Sequence, residues 1–130
     1  MWLVISNNIK RTKNMMTEKA KVVEKRWGRE IWFANNEEKD YCGKILEIKP
    51  DSRLSLHFHM IKEEHLFNLE GDCQVTYLTR RGDTIKFDLQ AGCSFHIRPG
   101  LVHRFSTKNG CRLLEASTFH RDSDSYRVQR

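Results

Sequence analysis

Three imidazoles and one carboxylate, His57, His59, Glu64 and His103, have the types and the spacing of a single mononuclear metal site. Neutral histidine nitrogens with one carboxylate suit zinc, iron(II), nickel, manganese or cobalt, and they leave coordination positions open for water or substrate. One divalent transition metal per chain is therefore expected. If the chain is extended around His57, the rings of His57 and His59 point to the same face, because side chains alternate across a strand. Ser55 shares that parity and joins the candidate cavity. Glu64 and His103 must then arrive from other strands, and a β-barrel interior supplies that geometry.

The elements around these residues read as all-β. The 130 residues are 38% hydrophobic and 31% charged, the composition of one globular domain. From Val22 onward, short apolar or alternating runs are broken by turn residues, and the pattern predicts strands over 30–35, 41–49, 53–59, 64–70, 73–79, 83–89, 94–97, 103–107 and 112–118. Turn-forming pairs separate them, among them Arg81-Gly82, Ala91-Gly92, Pro99-Gly100 and Asn109-Gly110, the last read as a tight hairpin turn. Leu46, Ile48, Leu56 or a neighbour, Leu66, Phe95 or Ile97, and Leu113 or Leu114 are the expected interior. Residues 1–21 read as a polar arm, with Met15 or Met16 as an alternative start of translation. Residues 22–120 form the barrel, and 121–130 a basic C-terminal tail.

Charge and cysteine patterns narrow the function classes. The net charge is +6, but the lysines and arginines are interleaved with acids, which argues against a specific nucleic-acid partner. Cys42, Cys73, Cys93 and Cys111 form no Cys-x-x-Cys pair, so reduced thiols are expected, Cys93 as a small buried side chain. No apolar run approaches the roughly 20 residues of a membrane span, and the N-terminus lacks a signal-peptide layout. Cytoplasmic residence is the expectation.

His57-x-His59-x4-Glu64-x6-Gly71 resembles the first motif of the cupin superfamily, with Asp51 where the motif's first glycine stands. Gly92, Gly100 and His103 resemble the second motif in register, with Arg98 at its proline and Thr107 at its asparagine. The distance to Gly71 selects Glu64 over Glu63. The resemblance implies a jelly-roll barrel, the double-stranded β-helix. Arg26-Trp27-Gly28, the run from Lys44 to His59, His103-Arg104, Leu114-Glu115 and Asp124-x-x-Arg127 further resemble the C-terminal domain of type II mannose-6-phosphate isomerases and their short stand-alone relatives.

That second resemblance implies metal-assisted aldose–ketose isomerisation of a sugar or sugar phosphate, with a homodimer as the expected assembly. Lys44 matches the family's lysine and shares parity with Leu46 and Ile48, so it is the candidate catalytic acid–base. Ser55, His96, Arg98 and Arg104 are candidate substrate-binding residues. Glu63 and His65 are read as outward-facing, and Trp27 and Trp32 as cover for a barrel end or a dimer interface. Two other readings stay open: an iron(II)-dependent dioxygenase of a small organic substrate, and a cupin that binds a sugar without turning it over.

Overall fold

The computed structural model describes residues 16–129. The arm residues 1–15, including Met15 as an alternative start, lie outside the described residues. Twelve strands follow: β1 (Lys21–Lys25), β2 (Gly28–Asn36), β3 (Tyr41–Ile48), β4 (Ser52–Arg53), β5 (Leu56–Phe58), β6 (Glu64–Gly71), β7 (Gln74–Leu78), β8 (Thr84–Asp88), β9 (Ser94–Ile97), β10 (His103–Thr107), β11 (Cys111–Ser117) and β12 (Tyr126–Gln129). They form two antiparallel sheets, one ordered β1-β2-β3-β11-β6-β9 and the other β12-β5-β10-β7-β8, with β4 also on β10. Among the described residues no helix is long and apolar enough to cross a membrane.

Between the sheets lies the core. Leu46, Ile48, Leu66, Ile97 and Leu113 are buried there with Trp27, Leu54, Val75, Leu89 and Phe105. At the undecided positions Ile97 and Leu113 are in the core, and Phe95, which shares the parity of Ile97, packs against it partly buried. Leu114 takes the other face, opposite Ile45 and Phe67. Leu54 enters the core, while Leu56 is buried outside that cluster. The expected single strand over 53–59 is split into β4 and β5, and the irregular backbone at 54–55 changes which side chains face inward.

Two expectations from sequence are corrected. Asn109-Gly110 does not close a hairpin: β10 pairs with β4, β5 and β7, whereas β11 pairs with β3 and β6, so this turn carries the chain from one sheet to the other. Local turn chemistry does not say which strand a neighbour will pair with. Cys93 is exposed rather than buried, since it sits in the turn where its amide donates to the Gln90 carbonyl. Within the segment read as a tail, Tyr126–Gln129 pairs with β5, and the Tyr126 ring stacks on Phe58 at 5.1 Å. Likewise β1 pairs with β2 along its whole length and begins at Lys21, the last residue assigned to the arm.

The motif positions have local physical causes. Asp51 adopts φ 53, the left-handed conformation for which the motif's glycine is suited and which aspartate tolerates better than most residues. Gly71 adopts φ 92, and a Cβ there would lie 2.2 Å from the Gly110 carbonyl oxygen and 2.8 Å from the Cys111 Cα. Both obstacles are backbone and cannot rotate away. Gly71→Ala is expected to destabilise the fold toward the upper end of the about 1–3 kcal/mol that a strained backbone position costs, read as a lowered midpoint in urea unfolding.

Candidate metal centre

Strand alternation divides the barrel interior lengthwise. Along β3 the inward positions read Lys44, Leu46, Ile48, and along β11 they read Glu115, Leu113, Cys111. Lys44 lies opposite Glu115, Leu46 opposite Leu113 and Ile48 opposite Cys111. On β6 Glu64 precedes Leu66, and on β10 His103 precedes Phe105. Each strand contributes its polar residue at the same end. The apolar ends pack, and the polar ends surround a cavity of about 270 Å³ whose lining includes His57, His59, Glu64, His103, Lys44 and Ser55.

One ring nitrogen from each of His57, His59 and His103 lies within 4.8 Å of the others. Register creates this meeting, because His103 on β10 is the Cα partner of His57 on β5. Each ring is oriented by a backbone carbonyl: Nδ1 of His57 lies 2.8 Å from the Ser55 oxygen, that of His59 2.7 Å from the Asp124 oxygen, and that of His103 2.8 Å from the Leu101 oxygen. A carbonyl only accepts, so each Nδ1 is the protonated donor and each Nε2 keeps its lone pair. Glu64 completes the group, with Oε2 3.5 Å from His59 Nε2 and Oε1 3.9 Å from His103 Nε2.

This donor set fits a divalent transition metal. His103 Nε2 and Glu64 Oε2 are buried without a hydrogen-bond partner, and orphaned buried polar atoms are rare unless something unseen satisfies them. Burial pushes the imidazoles toward their neutral, ligating form: His57 is lowered to about 4 and His103 to about 3, the latter also by the neighbouring His57. His59 is lowered by burial as well. Burial and the Glu115 charge raise Glu64, so without a cation its carboxyl favours the protonated state.

Beside the four lies a charged network that the sequence reading passed over. Lys62 Nζ is 2.6 Å from Glu115 Oε2 and 3.6 Å from Glu64 Oε2. Burial works against the Lys62 charge, but the two carboxylates outweigh it and hold the ammonium above its ordinary value. Glu115 is correspondingly held ionised, because Lys62 and Lys44 overcome the cost of its burial. His120 places Nδ1 3.0 Å from Lys62 Nζ and Nε2 2.9 Å from Asp122 Oδ1. Strand parity with Leu113 was the signal that could have found Glu115. Lys62 lies in the irregular link between β5 and β6, and His120 was taken as the last residue of the barrel, so neither carried a periodic signal.

Of the residues singled out from sequence, Lys44 is 1% exposed and lines the cavity, with Nζ 3.3 Å from Glu30 Oε1 and 4.0 Å from the Trp32 ring centre. Burial lowers its basicity. Ser55 also lines the cavity. His96, Arg98 and Arg104 do not. His96 stacks on His65 on the outer face and meets Glu63 at 2.5 Å, because its neighbour Ile97 takes the inward parity. Arg98 is exposed in the turn where its carbonyl accepts from Leu101 N. Arg104 follows the inward His103 and so faces the other way, near Arg53. Trp27 lines the cavity and Trp32 supports Lys44, so neither is only an end cover. Arg127 and Lys25 are exposed lining residues that sequence reasoning did not assign to the site.

Glu115→Ala is expected to cost about 3 kcal/mol in urea unfolding, the low end for breaking a buried pair, because Glu64 remains 3.6 Å from Lys62. The histidines set the acid limb of stability. His57 and His120 near 4 and His103 near 3 lie below the ordinary 6.5, so between those values and 6.5 the unfolded chain binds more protons than the folded one. The raised Glu64 opposes them with one proton against three. Thermal unfolding in chelator is therefore expected to show stability falling as pH drops from about 6.5 toward 4.

The family model described as "Mannose-6-phosphate isomerase C-terminal" matches residues 10–121. No curated protein matches the chain. Among solved structures, the capsular polysaccharide assembling protein CapF of Staphylococcus aureus superposes with a TM-score of 0.74 at 13% identity, over 89% of this chain and 33% of that one. Oxalate decarboxylase of Bacillus subtilis gives 0.74 at 16% identity over 84% and 30%, and that of Lactobacillus farciminis 0.72 at 22% over 84% and 34%. At these identities the likeness is one of fold, and the chain spans about a third of each of these proteins. The family match over most of the chain, the two-sheet barrel and the inward histidines agree: the chain is a cupin of the mannose-6-phosphate isomerase C-terminal family.

Proposed function

We propose that the chain is a metal-dependent enzyme that interconverts an aldose and a ketose, acting on a sugar or sugar phosphate. The observation that carries this reading is the coexistence, around one cavity, of a metal-ligating set and a buried set of proton-exchanging groups, in a member of this family. His57, His59, Glu64 and His103 would hold the ion. When bound, a divalent metal polarises carbonyl and hydroxyl oxygens as a Lewis acid.

The chain's own residues supply the rest. Isomerisation moves a proton between adjacent carbons, which needs a positioned base whose basicity is matched to neutral pH. Lys44 is the acid–base group in this proposal: burial lowers its basicity, the Glu30 carboxylate and the Trp32 ring hold its ammonium in place, and it shares the cavity with the metal set. The Lys62–Glu115 pair keeps fixed charges beside it. Ser55 offers a hydroxyl for sugar oxygens. Lys25 and Arg127, exposed on the lining, are placed to meet an anionic group, the role that Arg98 and Arg104 cannot fill from outside the cavity. A volume of about 270 Å³ sits just below the usual range of small-molecule sites, about 300–1,000 Å³, which favours a compact substrate.

The test is conversion of mannose-6-phosphate to fructose-6-phosphate, and of a panel of free and phosphorylated aldoses, by freshly purified protein whose metal content is measured. Activity is expected to vanish with chelator and in His59→Ala, and kcat to fall by about 100- to 10,000-fold in Lys44→Met. A metal-loaded protein inert on the whole panel would defeat the isomerase reading. Sugar binding without turnover would support a binding cupin, whereas native iron(II) with oxygen consumption would support a dioxygenase.

A further inference from the structure

Asp124 lies just before β12, in the 3-10 turn Asp122–Asp124, and is 5% exposed. Its carboxylate is enclosed by consecutive backbone amides of the link between β5 and β6. Oδ1 accepts from Met60 N at 2.9 Å and Ile61 N at 3.2 Å, while Oδ2 accepts from Ile61 N at 3.2 Å and Lys62 N at 2.9 Å. Its own backbone carbonyl accepts from His59 Nδ1 at 2.7 Å. One residue thus grips both the histidine ligand and the link that runs from it to Glu64. The grip is reinforced beyond Asp124, where β12 pairs with β5 and Arg127 is the Cα partner of His57.

We propose that Asp124 is the positioning residue of the metal centre, and that the C-terminal segment is a clasp whose docking sets the His59 tautomer and the span from His59 to Glu64. The inference rests on reading the four-residue set as a metal site. Two physical arguments support it. Successive amides aimed at one carboxylate fix a link that has no strand partners of its own, since residues 59–63 fall between β5 and β6. A carbonyl on Nδ1 leaves Nε2 as the ligating atom, and such outer partners govern how well a ligand is presented. Asparagine is nearly the same size as aspartate but offers one acceptor oxygen, and its amide group would confront backbone N–H donors, so Asp124→Asn should open the clasp without leaving a cavity.

The experiment compares full-length wild type, Asp124→Asn and Asp72→Asn for zinc and manganese affinity by competition with a chelator, with folding followed by circular dichroism. Asp72 is the matched control: its carboxylate also accepts backbone amides, Lys108 N at 2.8 Å and Asn109 N at 2.9 Å, in a turn that contributes no ligand. Asp124→Asn is expected to lower affinity by about 10- to 100-fold, as losing an outer-shell partner does, and Asp72→Asn to leave it unchanged. Imidazole nitrogen NMR on metal-free wild type gives a readout that needs neither metal nor a folded variant, and His59 is expected there as the Nδ1–H tautomer. Wild-type affinity in Asp124→Asn, an equal loss in Asp72→Asn, or an Nε2–H tautomer of His59 would each overturn the clasp. Failure of wild type to bind any metal would instead overturn the metal reading, with the tautomer still reporting on the clasp.

Discussion

Everything at the polar end of this barrel depends on how buried ionisable groups are compensated. Lys44, Lys62, Glu64 and Glu115 are almost fully removed from solvent, and isolated charges there would cost more than a small domain can supply. Pairing resolves most of the cost. Lys62 and Glu115 neutralise each other at 2.6 Å, and Lys44 leans on Glu30 and on the face of Trp32. The histidines escape it by staying neutral, each with one nitrogen satisfied by a carbonyl. Glu64 is the least satisfied of these groups: its Oε2 makes no hydrogen bond, lying 3.6 Å from Lys62 Nζ and 3.5 Å from His59 Nε2. A divalent cation held by these residues would complete that balance.

The same accounting explains why the site sits where it does. Inward positions alternate along each strand, and neighbouring strands in register bring like ends together, so polar residues at one end of β3, β6, β10 and β11 converge without help from a loop. The opposite end closes on Leu46, Ile48, Leu113 and their neighbours. Rigid packing below and fixed hydrogen bonds above leave the ligands little freedom, and such preorganisation is what metal and proton-transfer chemistry both require.

Fold alone does not choose the chemistry, because one barrel hosts many reactions. The solved structures that share this architecture include a capsular polysaccharide assembling protein and oxalate decarboxylases. What separates possibilities is the side chains around the cavity. In the function proposed above, the buried Lys44 that shares the cavity with the candidate metal set would serve proton transfer on a sugar.

The all-β barrel, the positions of its central strands and the three histidines that cluster in it were legible in the sequence. Those properties are periodic or tied to motif spacing: alternation marks inward residues such as Lys44, Leu46 and Ile48, and the glycines mark backbone conformations that other residues resist. Tertiary structure alone decided which strands pair and which separated residues meet. It moved the Asn109-Gly110 turn from a hairpin to a crossing between sheets, turned His96 and Arg104 away from the cavity, and brought Lys62, His120 and Asp124 to the site. These last depend on hydrogen bonds across dozens of residues and on short edge strands whose partners lie far away in the chain. A local pattern carries no record of such contacts, since they exist only once the two sheets have closed on each other.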